Sequence, residues 1–277
     1  MKNIVVATDL SGRSAHALTR AFQLAEQSGA RVAVVKVADD DLPETMSAKI
    51  QIDAQDMLEA LCEAEAARHP APFSIEVLTG DPAHCIRACA RDYDSDLIIL
   101  GAHRRRGFLD GMRETTLEHV VRIVRRPVLL AAMPVESPYT KVLLPMDFSP
   151  ASTAAAHAAL KVAPAAEINA FHAVHVPYRG FGRGNPDGSL EDIFLQEARE
   201  ERDKWWENAG LPASFPKPEL SEGSPQQILD ARRALFDPDL IAVGAHSRAT
   251  AARWIVGSFA AGLVRNPPCD VLVTRPR

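Results

Sequence analysis

The chain says most of what it has to say twice. Gly80-Asp81-Pro82 returns as Gly223-Ser224-Pro225, Asp96-Leu97 as Asp239-Leu240, Gly101-Ala102-His103 as Gly244-Ala245-His246, and Val128-Leu129 as Val271-Leu272, all at an offset of 143. Nearer each beginning, Asp9-Leu10-Ser11 returns as Asp147-Phe148-Ser149 at an offset of 138. The second copy is therefore longer in its middle, where Gly180 to Gly188 forms a Gly-rich stretch. An offset held over so many motifs marks a duplication, so the fold is one unit used twice.

The unit reads as strands alternating with helices. A short apolar run (Ile4–Ala7; Val142–Leu144) ends at the Asp-x-Ser turn, whose side chains can cap a following helix (Ser14–Gln27; Ala151–Val162). A second strand follows (Arg31–Val37; Glu167–Val176), then a variable stretch with a helix (Thr45–Arg68; Leu190–Ala209). A third strand (Phe73–Leu78; Pro218–Ser221) leads through the Gly-x-Pro turn to a helix (Ala83–Arg91; Gln226–Ala234). The fourth strand ends at Gly101 or Gly244, and a loop, a helix and a fifth strand close the unit. Near-continuous apolar strands between helices predict a parallel sheet covered on both faces. Residues 1–135 and 139–277 are the expected domains, and Met133–Pro138, with two prolines and no periodicity, is the linker.

Composition narrows the function. A net charge of −5 gives no footprint for general nucleic-acid binding. No apolar run approaches the roughly 18 residues of a membrane span, and no signal-peptide pattern opens the chain, so no membrane partner and a cytoplasmic location are expected. Cys62, Cys85, Cys89 and Cys269 form no C-x-x-C and read as reduced core thiols. Walker A, G-x-S-x-G and H-E-x-x-H motifs do not occur, and Asp9 and Asp147 are single carboxylates without a base at motif spacing, so an enzyme is not expected.

The stretch from Leu240 to Arg277 carries the candidate site. An apolar run ends at Gly244, a polar loop follows, and Gly257-Ser258 opens a helical pattern. The N–H groups of Gly257, Ser258 and Phe259 at a helix start can meet an anion, phosphate above all. The spacing Gly244-x2-Ser247-x9-Gly257-Ser258 resembles the G-x2-G-x9-G-[ST] nucleotide loop of the ATP-binding universal stress proteins, with Ser247 where that family has Gly. The upstream copy keeps Gly101 and Thr115 but carries Arg104 and Glu114 at the other two glycine positions. The resemblance covers nearly the whole chain, twice.

The resemblance implies two tandem five-stranded Rossmann-like α/β units of strand order 3-2-1-4-5, with fifth strands pairing across a two-fold axis. Here Pro127–Ala131 and Asp270–Thr274 would do so within one chain, as an intrachain pseudo-dimer. It implies an adenine nucleotide, ATP foremost and with Mg2+ as an accompanying ion, bound by the second unit alone. Pro145, Met146 and Asp147 would end the first strand at the site, Asp147 accepting from ribose hydroxyls. Val176 would offer its backbone to the adenine, Gly244, Ser247 and Gly257 a close approach to phosphate, and Ser258 and Phe259 the helix start. Such a protein is a non-catalytic stress-response sensor, a monomer or a homodimer of pseudo-dimers. A scaffold or small-molecule sensor without nucleotide is the alternative, favoured by Ser247, and a slow nucleotide hydrolase ranks last.

Five further expectations follow. Arg104 and Glu114, opposite in charge, would pair and fill the vacant phosphate site of the first unit. Arg104, Arg105, Arg106, Arg113, Arg122, Arg125 and Arg126 form a basic cluster without interleaved aromatics, more often a solvated face than a polyanion site. His172 and His175, three apart on a strand, should face opposite ways and share no metal. His103 and His246 follow the strand-four glycines as loop-positioning residues, and one of Trp205 and Trp206 packs inward while the other is a candidate interface residue.

Overall fold

The computed structural model describes residues 1–12, 14–38, 44–101, 116–176, 190–245 and 257–276. The first half runs β1 (Asn3–Ala7), α1 (Ser14–Ser28), β2 (Arg31–Ala38), α2 (Glu44–Arg68), β3 (Phe73–Thr79), α3 (Pro82–Asp92), β4 (Leu97–Gly101), α4 (Thr116–Ile123) and β5 (Val128–Ala131). The second runs β6 (Lys141–Pro145), α5 (Pro150–Val162), β7 (Glu167–Val174), α6 (Leu190–Asn208), β8 (Glu219–Glu222), α7 (Pro225–Phe236), β9 (Leu240–Gly244), α8 (Ser258–Arg265) and β10 (Asp270–Thr274). Among the described residues no helix is long and apolar enough to cross a membrane.

All ten strands form one sheet in the order β3-β2-β1-β4-β5-β10-β9-β6-β7-β8. Each half has the order 3-2-1-4-5, and every pairing is parallel except the central one between β5 and β10. That antiparallel pairing sets Leu129 opposite Leu272, with Leu130 opposite Val271 and Val128 opposite Val273. Leu129 and Leu272 are equivalent positions of the repeat, so the pseudo-two-fold axis passes between them. Two apolar edges that would invite aggregation are covered by each other.

Helices cover both faces because the strands are apolar on both. On one face α1 and α5 bury Phe22, Leu24, Ala155 and Ala159 against Ile4, Val6, Val142, Leu144 and Leu272. On the other, α3, α4, α7 and α8 bury Ile86, Val120, Leu229 and Leu263 against Ile98, Leu130, Ile241 and Val271. The repeat's turns are built alike. Ser149, Ser224 and Asp81 cap α5, α7 and α3, each followed by Pro in the first turn. Asp96 and Asp239, which look like turn residues, have a larger task. Asp96 accepts from the N–H groups of Lys2 and Asn3, and Asp239 from those of Thr140 and Lys141, so each pins the start of its half's first strand beside its fourth.

A buried polar cluster fastens the seam between the halves. Asp270, at the start of β10 and fully buried, accepts from the N–H groups of Ala132 and Met133 at 2.8 and 3.0 Å and from the Tyr139 hydroxyl at 2.5 Å. Arg20 of α1 lies 3.5 Å from the same carboxylate, over the Tyr139 ring at 3.9 Å, and donates to the Ser137 carbonyl. Burial first, and then the Asp270 charge, push the Tyr139 hydroxyl well above its ordinary pKa, so it stays a donor.

Candidate functional site

In a doubly wound sheet the crevice opens where strand order reverses, beyond the carboxyl ends of the strands. Here those places lie between β1 and β4 and between β6 and β9. The two crevices differ. The β1–β4 ladder runs from Ile4↔Leu97 to Ala7↔Leu100, whereas the β6–β9 ladder holds only Val142↔Leu240 and Leu143↔Ile241. Pro145 explains the shorter one. It stands where the first half has Ala7, and the Met146 N–H beside it donates to Phe171 on the β7 side. Strand alternation aims the Pro145 nitrogen at β9, and proline has no N–H to give. The backbone pairing therefore stops sooner in the second half.

Asp147 stands at this opening, half-buried, where β6 turns into α5. Its Oδ1 accepts from the Ser149 N–H at 3.1 Å, and Ser149 in turn caps α5 through the Ser152 N–H. Asp9 repeats the turn, accepting from the Ser11 N–H at 2.9 Å. Burial raises the Asp9 pKa, but hydrogen bonds from Ser11 and Ser14 outweigh it and leave the carboxyl below its usual range. The residue between Asp and Ser is left-handed in both halves: Leu10 at φ 65° and Phe148 at φ 59°. Bulky side chains rarely hold that conformation.

Around Phe148 the second half is aromatic. Phe148 meets His172 at 4.6 Å between ring centroids and Trp205 at 5.4 Å. Trp205 donates its indole N–H to Thr153 and is buried, and Trp206 packs half-buried against Phe215. Trp205 is the ring that packs inward, and Trp206 is half-buried, because this corner of α6 sets ring beside ring. His172 Nδ1 lies 2.7 Å from the Met146 carbonyl. A carbonyl can only accept, so Nδ1 carries the proton.

Beneath α6 lies a cavity of about 430 Å³, bordered by His172, Val174, His175, Phe194, Ala198 and Glu201, among others. The expected opposition of His172 and His175 does not hold there. β7 ends at Val174, two residues short of the predicted strand, so period 2 no longer governs His175, and both histidines border one cavity. Among the described residues no group of three or more His, Cys, Asp or Glu is placed to hold a metal ion. Val176 lies half-buried just past the end of β7.

Gly244 and Gly257 complete the opening. A Cβ on Gly244 would sit 2.7 Å from the Ser152 nitrogen and 2.8 Å from the Ala151 carbonyl carbon. This glycine is required by α5, whose first turn lies on the end of β9, and the need for close phosphate approach is not its only explanation. The Thr274 hydroxyl donates to the Ala151 carbonyl in the same corner. The Gly257 N–H donates to the Ala245 carbonyl at 2.7 Å, which sets the start of α8 against the end of β9. Gly257 is the N-cap of α8 and supplies no side-chain cap. The first bond into the helix is from Ala261 N–H to the Gly257 carbonyl, so the N–H groups of Ser258, Phe259 and Ala260 precede it.

The structure thus gathers Pro145, Met146, Asp147 and Val176 at the ends of β6 and β7, and Gly244, Gly257, Ser258 and Phe259 at the end of β9 and the start of α8. Ser247, His246, His103, Arg104, Arg105, Arg106, Arg113, Glu114 and Thr115 lie outside the described residues, and with them the expected Arg104–Glu114 pair. Of the basic cluster, Arg126 pairs with Asp94, and the Arg122 carbonyl accepts from Arg275 across the seam. Cys62, Cys89 and Cys269 are buried thiols whose pKa burial pushes up to about 12, which leaves them protonated and unreactive. Sequence reasoning misses the roles of His172 and Phe148. The signal available is their aromatic character at places where the first half has Lys36 and Leu10.

A comparison with known proteins agrees with the geometry. The model of the universal stress protein family matches twice, over residues 1–132 and 138–275. A crystal structure of a universal stress protein from Archaeoglobus fulgidus superposes with a TM-score of 0.68 at 18% identity, covering 99% of this chain and 98% of that one. A protein of unknown function from Pseudomonas aeruginosa reaches 0.64 at 18% identity, covering 100% and 93%. At such identities the likeness is one of fold. A curated relative from Staphylococcus saprophyticus, itself named for universal stress, is 44% identical over 57 residues, which span 20% of this chain and only 34% of that protein. Both halves of the chain match, both have the same strand order, and the chain belongs to the universal stress protein family.

Proposed function

We propose that the second half binds an adenine nucleotide, ATP foremost, and that the protein is a non-catalytic sensor of it. The observation that carries this reading is the convergence at one crevice of the Asp147 turn and the start of α8, which has no side-chain cap. A carboxylate suits ribose hydroxyls, and the N–H groups ahead of the first intrahelical bond, with the helix dipole, suit phosphate. The open pocket beside α6, lined by Val174 and Phe194 but also by Glu197, Glu200, Glu201 and Lys204, lies at the end of β7, where the Val176 backbone would meet the base. Mg2+ would arrive with the phosphates. A cytoplasmic protein, monomeric or a homodimer of pseudo-dimers, fits this role.

Isothermal calorimetry with ATP tests the reading. Wild type should bind one nucleotide per chain, and Gly257→Glu, which copies Glu114 of the first half, should weaken binding at least about tenfold through charge repulsion at the helix start. No binding by wild type, or equal binding by the variant, overturns it. A second reading, a scaffold without nucleotide, is favoured by one observation: helix packing alone already requires Gly244. Mass spectrometry of small molecules released on denaturation separates the two. Turnover of ATP on prolonged incubation with pure protein would move the reading towards a hydrolase.

A further inference from the structure

Asp147 lies between two residues that one side chain holds. His172 donates its Nδ1–H to the carbonyl of Met146 at 2.7 Å, and its ring lies on that of Phe148 at 4.6 Å. The Met146 N–H is already committed to the Phe171 carbonyl at 2.7 Å, so His172 extends the β6–β7 ladder by one further bond where the backbone ladder ends. Trp205 closes over Phe148 at 5.4 Å and is itself fixed through its indole N–H to Thr153 of α5. The left-handed Phe148 is thereby packed in place, and with it the turn that presents the Asp147 carboxylate.

The first half shows what the turn looks like without this grip. Thr8 N–H donates to the Val35 carbonyl as Met146 does to Phe171, which puts Lys36 in register with His172. Lys36 donates to the carbonyl of its own neighbour Val37, and Leu10 stands where Phe148 does. Asp9 is exposed there, whereas Asp147 is half-buried. The grip therefore belongs only to the half whose loop keeps its glycine and serine at the start of α8.

We propose that His172 is a positioning residue for the nucleotide: its bond to the Met146 carbonyl and its stack on Phe148 hold the Asp147 carboxylate in the orientation that receives the ribose. This rests on the nucleotide reading of the second half for its ligand, but not for its geometry. A carboxylate held before the ligand arrives spends less ordering entropy on binding.

Two variants separate the hydrogen bond from bulk. His172→Asn can reproduce the Nδ1 donation, and His172→Leu cannot. Amide hydrogen exchange of Ser149, whose N–H Asp147 receives, reads the turn in ligand-free protein. Calorimetry with ATP reads the site. His172→Leu should speed Ser149 exchange and weaken ATP about tenfold, the scale of one hydrogen bond, while His172→Asn stays within about threefold of wild type in both. In an Asp147→Asn background the same Leu substitution should cost less than about twofold, because it acts through Asp147. If His172→Leu fails to fold, His172→Phe, which keeps a ring on Phe148 but has no donor for the Met146 carbonyl, takes its place with the same expected direction. Unchanged Ser149 exchange in His172→Leu, or an equal loss of affinity with and without Asp147, overturns the proposal. Should wild type bind no adenine nucleotide, the functional reading fails, and Ser149 exchange still decides whether His172 holds the turn.

Discussion

The two halves share strand order, turn chemistry and capping, and differ at their crevices. In the first, β1 and β4 stay paired to Ala7, the Asp turn is exposed, and Leu58 and Cys62 of α2 seal the helix against the sheet. In the second, the β6–β9 ladder ends before Pro145, aromatic rings pack on the Asp turn, and an open pocket lies beside α6. The fold survives all these changes because the apolar strand pattern and the Asp and Ser caps are kept. Duplication thus leaves the two copies free to differ in the side chains around the Asp turn while the frame is kept.

The seam breaks the comparison most severely, since its polar cluster exists once. The position equivalent to Asp270 is Pro127, and that equivalent to Arg20 is Ala158. Asp270→Ala strips the partner from a buried Arg20 and should cost about 3–5 kcal/mol in urea denaturation. Pro127→Ala, its counterpart, should shift stability by less than about 1 kcal/mol; equal effects of the two would mean that the cluster contributes nothing to the seam. Gly244→Ala comes next. Its Cβ would collide with backbone of α5 at under 3 Å, and overpacking of that kind costs about 1–3 kcal/mol. A variant as stable as wild type in thermal unfolding would show that α5 can move away from β9.

Smaller effects sharpen the picture. Ser149→Ala removes the cap of α5 beside the site, and its loss should cost about 1 kcal/mol by chemical denaturation. Ser224→Ala, away from both crevices, removes a reciprocal capping box and should cost a similar amount; nucleotide affinity should respond to the first and ignore the second. The smallest effect concerns pH. The folded pKa of Asp9 is depressed, so its hydrogen bonds stabilise the fold above the unfolded carboxylate value and lose this as pH falls through the folded one. Asp9→Asn should therefore flatten the acid limb of a stability–pH curve slightly, and a limb that steepens instead would reverse the sign of the argument.

Much is legible in the sequence. The repeat and the alternation of strands with helices follow from apolar periodicity and Gly, Ser and Asp placement, whereas the strand order and the pairing of fifth strands are what the resemblance to the family implies. The placing of His175 escapes a periodic argument because strand period stops at Val174, where the strand ends. Asp96 and Asp239 pass for turn residues in the sequence because their acceptor role joins strands more than ninety residues apart. Nothing local announces the Arg20–Tyr139–Asp270 cluster, though an aspartate heading the apolar run of β10 is a signal that it needs partners.

The amino-acid order by itself determined that one α/β unit would be built twice, because local pattern and turn chemistry act within a few residues. Tertiary structure alone decided which Asp turn is packed under aromatic rings, which glycine serves packing, and how one buried carboxylate fastens both halves. Those outcomes depend on which donors and rings meet across the sheet, and a linear pattern carries no distances between residues far apart in the chain.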